Sequence, residues 1–312
     1  MYNKILVTGG TGLLGTALNR VLPDAIYLSS KDVDLRSFSE TSKLFKEVQP
    51  DAVIHLAGRI GGLGANMMEK GLFYHDNAKI NLNVLEAARV CNAKKVLSTL
   101  STCIYPDDAT YPLTEEQIHS GAPHHSNYAY AYAKRMLDVQ SRAYREQYGL
   151  NCITAVPNNL FGINDNFDLD QSHVLPAMVR KIYEAKKFNK EVMLWGDGSP
   201  LREFTFSEDA AKILVFLLDK YDGEHPINIG NTMEYSIAHA AKLLASILDY
   251  DGEIIWDITR PAGQFRKPSS NKKLLSLGWT EDKYTDFEKA LRIVCTWFTQ
   301  NYENARGIKA NV

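Results

Sequence analysis

Short, unbroken apolar runs alternate with longer stretches of helical spacing through the first half of the chain. Strands are expected at KILVTG (4–9), AIYLSS (25–30), AVIHLA (52–57), KKVLSTLS (94–101) and CITAVP (152–157). Between them, TGLLGTALNRVL (11–22) and the segments near 39–48, 77–92 and 127–148 repeat apolar residues every three or four positions, as amphipathic helices do. Strands that are apolar without alternation are buried on both faces, and helical crossovers between them make a parallel sheet. The pattern predicts an α/β fold, a Rossmann-type doubly wound parallel sheet over residues 1–162. Beyond that the order loosens, and residues 163–312 are expected to form mainly a smaller mixed α/β substrate-binding domain. Later segments such as 205–220 are expected to pack back on the first domain.

The first strand runs into VTGGTGLLG, which sets Gly9, Gly12 and Gly15 between strand and helix. Glycines there permit a tight turn and let a helix N-terminus face a pyrophosphate. In this strand–turn–helix context the trio marks a dinucleotide site, with Gly10, Thr11, Leu13 and Leu14 completing the turn. The second strand ends in YLSSKDVDL. NAD sites usually carry an acidic residue there for the ribose 2′-hydroxyl. Ser29, Ser30 and Lys31 suit a 2′-phosphate better and favour NADP, although Asp32 and Asp34 follow closely and a solvated loop lysine is the other reading of Lys31.

The bulk composition narrows the partners. With 35 basic against 37 acidic residues in 312, the net charge is −2, so a nucleic-acid surface is not expected. The four cysteines lie far apart, in no metal-ligand spacing and no disulfide framework. Reduced thiols and a cytoplasmic setting are expected, with no metal. MYNKILVTGG enters a strand directly, so no signal peptide is expected, and no apolar run approaches a membrane span.

Residues 126–136 read SNYAYAYAKRM. Ser126 or Asn127 can cap a helix there. At 3.6 residues per turn, Tyr130 sits about 40° around the axis from Lys134, whereas Tyr132 and Tyr128 lie about 200° and 240° away. Only Tyr130 shares the lysine's face, and the other two read as packing residues. A phenol is a poor proton donor–acceptor near neutrality until an ammonium stabilises its anion. In LSTLSTCIYP, Ser101 and Cys103 would project to one side of an extended segment beyond a strand's carboxyl end. Ser101 can donate to a carbonyl. Cys103 is a candidate base or a small buried hydrophobe. His173 in QSHVLPAM is a candidate acid–base or a helix-capping residue.

Together, TGGTGLLG, HLAGRIGG, LSTCIYP, YAYAK, DNF, SHVLPA, WGDGSPLREF and GQFRK resemble the GDP-L-fucose synthases, extended short-chain dehydrogenase/reductases, along nearly the whole chain. The resemblance implies epimerisation of GDP-4-keto-6-deoxy-mannose at C3 and C5, then NADPH-dependent reduction at C4. It makes Ser101, Tyr130 and Lys134 the reductase triad, with Cys103 as base and His173 as acid for the epimerisations. Ala57, Gly58, Leu100, Pro157, Asn159, Leu160 and His173 would line NADP(H), and Lys181, Trp195 and Arg202 would hold the GDP half of the substrate. It also implies a homodimer formed through helices that include the Tyr130 helix. Two departures stand out: Ala262 replaces an acidic residue before Gly263, and Thr11 stands where some members carry arginine. A related GDP-sugar epimerase, a C5-epimerase/C4-reductase, or a non-catalytic NADP-binding protein are the competing readings.

Overall fold

The computed structural model describes residues 2–260 and 264–308. Its first half runs β1 (Ile5–Thr8), α1 (Leu13–Val21), β2 (Ile26–Leu28), α2 (Phe38–Val48), β3 (Ala52–His55), α3 (Leu63–Met68), α4 (Lys70–Val90), β4 (Lys95–Thr99), α5 (Tyr128–Tyr148) and β5 (Asn151–Pro157). The second half adds β6 (Asn159–Phe161), α6 (Val174–Phe188), β7 (Val192–Trp195), β8 (Leu201–Phe206), α7 (Ser207–Lys220), β9 (Ile227–Ile229), β10 (Glu234–Ser236), α8 (Ile237–Ile247), β11 (Ile254–Asp257), α9 (Lys272–Ser276) and α10 (Phe287–Asn301). Most of the expected strands come out shorter than their apolar runs. β2 stops at Leu28 because Ser29 is drawn into a turn, its N–H and hydroxyl both donating to Asp32 at 2.7 Å. The helix expected at 77–92 starts earlier, at Lys70.

Six parallel strands form the main sheet in the order β2-β1-β3-β4-β5-β9. Its unbroken apolar runs follow from burial on both faces. Leu6, Val53, Val96, Cys152 and Val156 pack toward Phe45 of α2, Leu85 of α4 and Leu137 of α5. Their strand neighbours Val7, Ile54, Leu97, Ile153 and Ala155 pack toward Leu14 and Leu18 of α1 and Ile213, Leu214 and Leu217 of α7. Each leucine or isoleucine buried this fully stabilises the fold by roughly 2 kcal/mol.

The second half does not stay on its own side of residue 162. α7 lies along α1, and β9 extends the sheet beside β5, pairing Ala155 with Ile227. The three-residue run INI was too short to signal a strand. Most of the remaining elements build a separate core, in which the rings of Phe161, Phe204, Phe206, Tyr235 and Phe287 cluster, with β10-β8-β6 as a small sheet and β11-β7 as a strand pair. The chain leaves β1 to one side for β2 and returns on the other for β3. That reversal opens a crevice at the carboxyl ends of the strands, where ligands of such sheets bind. Among the described residues, no helix is long and apolar enough to cross a membrane.

Candidate active site

A cavity of about 1040 Å³ lies over that crevice, walled by the residues that follow β1, β3, β4 and β5. The turn after β1 is closed by glycine. Gly9 has φ +75°, and a Cβ on it would lie 2.9 Å from the Ala57 nitrogen; one on Gly15 would lie 2.3 Å from the Gly9 carbonyl oxygen. No larger residue keeps α1 this close to the strand. α1 has neither a side-chain cap nor an acidic residue in its first turn. Its free amides and positive dipole end suit an anion, so the turn fits the diphosphate of a dinucleotide.

Gly9, Thr11, Gly12, Leu13, Leu14 and Gly15 all line the cavity, as do Ala57, Gly58, Leu100, Pro157, Asn159 and Leu160. Gly10 does not. Its N–H donates to the Leu28 carbonyl at 2.7 Å, which turns it toward β2. Lys31 is also off the wall, exposed on the Ser29–Asp32 turn. Among the cations on the wall are Arg36, a few residues after Ser29 and Ser30, and Arg59, which shares Asp76 with it. Arg36 pairs with Asp34 at 2.9 Å, and Arg59 pairs with Glu69 at 2.6 Å and with buried Asp76 at 3.4 Å. Neither was singled out in the sequence, although Arg59 stands inside HLAGRIGG.

Ser101, Cys103, Tyr130, Lys134 and His173 share the same wall. Lys134 is fully buried and donates to the Thr99 carbonyl at 2.9 Å. Burial pulls its pKa down to about 8, with the nearby Cys103 opposing. Tyr130 packs edge-on to Phe73, its ring centroid 6.2 Å away. Burial, and then the negative charge that Cys103 can carry, push its phenol well above the ordinary value. The other two tyrosines do not pack on the sheet: Tyr128 is exposed and Tyr132 half-buried, each with a cation over its ring. Asn127 occupies the cap position of α5 but makes no side-chain cap bond.

Behind Lys134 runs a buried polar rail that sequence reasoning missed. The Thr8 hydroxyl meets His55 Nδ1 at 2.8 Å, His55 Nε2 meets Asn81 at 3.1 Å, and Asn81 donates to the Ala133 carbonyl at 3.2 Å. Burial first, then the Lys134 charge, lower the His55 pKa to about 3, so the ring is neutral. Asn77 clasps the loop after β3, accepting from Arg59 N–H at 3.0 Å and donating to the Phe73 carbonyl at 2.7 Å. The available signal was polar residues inside otherwise apolar elements.

Ser101 and Cys103 come together by a route other than strand alternation. β4 ends at Thr99, Ser101 is extended, and Thr102–Ile104 forms one 3₁₀ turn. Burial raises the Cys103 pKa, opposed by a hydrogen bond from Ser101 and by the charges of Lys267 and Lys134. His173 caps α6 by position alone, without a side-chain bond. The preceding loop is tied down where Gly62 N–H donates to the Gln171 carbonyl at 2.7 Å. His173 is exposed on the cavity wall, and desolvation by the protein around it, followed by the Lys267 charge, lowers its pKa.

Lys181, Trp195 and Arg202 are not on the cavity wall. Lys181 donates to the Met193 carbonyl at 2.9 Å, and Arg202 to the Leu201 carbonyl at 2.7 Å. Trp195 is exposed, with the Arg260 guanidinium 5.2 Å from its ring. Ala262 and Gly263 lie outside the described residues. Among the described residues, no cluster of three His, Cys, Asp or Glu side chains is placed to hold a metal.

Residues 5–230 match the NAD dependent epimerase/dehydratase family. The chain is 41% identical over 311 residues to GDP-L-fucose synthase of Dictyostelium discoideum, covering 97% of each. It is 38% identical over 319 residues to the probable GDP-L-fucose synthase of Drosophila melanogaster, covering 97% of this chain and 99% of that one. Its fold matches the crystal structure of a GDP-L-fucose synthetase from Naegleria fowleri bound to NADP with a TM-score of 0.91 at 41% identity, over 97% of this chain and 94% of that one. With likeness at this level over almost its entire length, the chain belongs to the NAD dependent epimerase/dehydratase family and, within it, to the GDP-L-fucose synthases.

Proposed function

We propose that this protein converts GDP-4-keto-6-deoxy-mannose to GDP-L-fucose, inverting C3 and C5 and then reducing C4 with NADPH. The observation that supports this best is one cavity in which a glycine turn, a buried Tyr130/Lys134 pair, Ser101, Cys103 and His173 share a wall. The glycine turn and the α1 amides would hold the coenzyme diphosphate, Lys134 a coenzyme ribose, and Arg36 with Arg59 the 2′-phosphate in place of Lys31. NADPH, when bound, supplies the hydride that reaches C4.

The C3 and C5 protons are acidic because both carbons flank the ketone. Ser101 and Tyr130 donate to the C4 oxygen and hold the enolate charge as it forms. Inversion needs a base on one face and an acid on the other, roles we give to Cys103 and His173. Tyr130 then protonates the C4 oxygen during reduction, with the Lys134 ammonium stabilising the phenolate left behind. Lys181, Trp195 and Arg202 would hold the nucleotide half, where cations suit a diphosphate and an exposed indole suits a base.

We further propose a homodimer through α4 and α5, on which Tyr74, Leu82, Tyr128, Met136 and Val139 are exposed. The four free thiols suit a cytoplasmic setting.

The test is product analysis after supplying the keto sugar and NADPH in heavy water. GDP-L-fucose labelled at both C3 and C5, with NADPH consumed in proportion, is expected. Label at C5 alone would assign a C5-epimerase/C4-reductase, and no NADPH loss a redox-neutral epimerase.

A further inference from the structure

Two cations on the cavity wall, Lys267 and Arg306, are unused by the mechanism above. Of these, Lys267 also reaches a second recess beside the cavity, with room for about one water, and Cys103 lines both. Among the described residues its ammonium makes no hydrogen bond and no ion pair, although the backbone on either side is pinned. Arg266 Nε donates to both carboxylate oxygens of Glu234 at 2.9 and 2.8 Å, and Nη2 donates to one of them. The Pro268 carbonyl accepts from Leu113 N–H at 2.8 Å, and Ser269 donates to Glu203 from its N–H and hydroxyl at 2.8 and 2.6 Å. The chain therefore brings Lys267 to the two cavities that Cys103 lines, with no partner for its ammonium among the described residues.

We propose that Lys267 is a positioning residue for the epimerisation steps: it shares both cavities with Cys103, and its ammonium stabilises the thiolate base as it forms. This rests on the reading of Cys103 as base given above. Other groups do not replace it. Lys134 adds a smaller share of positive charge at the sulfur and is taken up by the coenzyme and Tyr130 in the reading above, and Arg135 is committed to the Ile104 and Gly121 carbonyls; Ser101 gives the sulfur a hydrogen bond but no charge, and Tyr130 is neutral. Burial first, then repulsion from Arg202, lower the Lys267 pKa, while Cys103 and then Glu203, whose carboxylate is occupied by Ser269 and Asn158, favour the ammonium.

The chemistry balances without an added reagent. The S–H proton is lost to water while Lys267 stabilises the anion. The thiolate then takes the C–H proton, and that bond's electron pair moves into the enolate gripped at the C4 oxygen. A proton on His173 passes to the opposite face of the carbon. The same ammonium makes that proton easier to release, because it disfavours the imidazolium.

The test uses the full-length protein and two readouts: iodoacetamide alkylation of Cys103 against pH, followed by peptide mass spectrometry, and deuterium uptake at C3 and C5. Lys267→Met is expected to move the alkylation midpoint up by about one pH unit or more and to lower neutral-pH alkylation and exchange about tenfold each. NADPH affinity stays unchanged, and Lys267→Arg restores the profile. If the methionine variant does not fold, Lys267→Gln replaces it. An unmoved midpoint overturns the proposal; if KM for the sugar rises at the same time, Lys267 binds substrate phosphate instead. Should Cys103→Ser keep parental exchange, the base assignment fails, while the alkylation midpoint still decides what Lys267 does to the thiol.

Discussion

The two ends of the main sheet each bury a lysine, and they treat it in opposite ways. Lys95 opens β4 at its amino end and Lys134 stands over its carboxyl end; each is 1% exposed. Lys95 is saturated, donating to the Leu218 and Tyr221 carbonyls at 2.8 and 2.7 Å and to Asp222 at 2.9 Å. It finishes the carbonyls at the end of α7, a role of stability. Lys134 has one acceptor, the Thr99 carbonyl, and an open cavity in front of it. An ammonium carries three donors, so two point where a ligand can use them. Burial alone does not mark a functional lysine; unspent bonding capacity does.

The largest effect expected is on chemistry. Lys134→Met should lower NADPH turnover with the keto sugar by about a hundredfold or more, whereas Lys95→Met should leave turnover per folded molecule near the parent value. Comparable losses in both, by stopped spectrophotometric assay, would erase the contrast.

Next comes stability. Lys95→Met strands the Leu218 and Tyr221 carbonyls in the interior and should cost about 3 kcal/mol in urea unfolding. Lys134→Met should instead raise stability at pH 7, by on the order of 2 kcal/mol. Its folded pKa of about 8 lies below the free value of 10.5, so between those limits the unfolded chain holds the proton and the folded chain does not. Below pH 8 the folded protein carries the cost of a buried ammonium, which disappears as the pH climbs toward 10. The gain in the methionine variant should therefore shrink across pH 8–10, and a gain that does not change with pH would place the effect in packing.

The smallest effect concerns the coenzyme. Arg36→Leu should raise KM for NADPH about tenfold and leave KM for NADH unchanged, while Lys31→Ala should change either less than about twofold. The reverse ranking would return the 2′-phosphate to the β2 turn.

Much of this was legible in the chain. Apolar runs of strand length and helical repeats gave the parallel sheet, the glycine trio gave the first turn, and helix geometry put Tyr130 and Lys134 on one face, where both line the cavity. Other features escaped for physical reasons. β9 is three residues of no periodicity, recruited by the open edge of β5. The His55–Asn81 rail looked like ordinary polar residues because its meaning lies in contacts between elements far apart in sequence.

What the sequence determined by itself was local: which segments coil, which extend, and which side chains share a face within about one turn, since these depend on backbone sterics and short-range spacing. Only the tertiary structure decided that Arg36 and not Lys31 reaches the cavity. It also decided that a 3₁₀ turn and not an extended strand brings Cys103 beside Ser101, and that Lys267 reaches the same two cavities as that cysteine. Those placements are set by loops, whose paths follow from the packing of the elements they join and from the partners their polar groups find, and no short window of residues contains either.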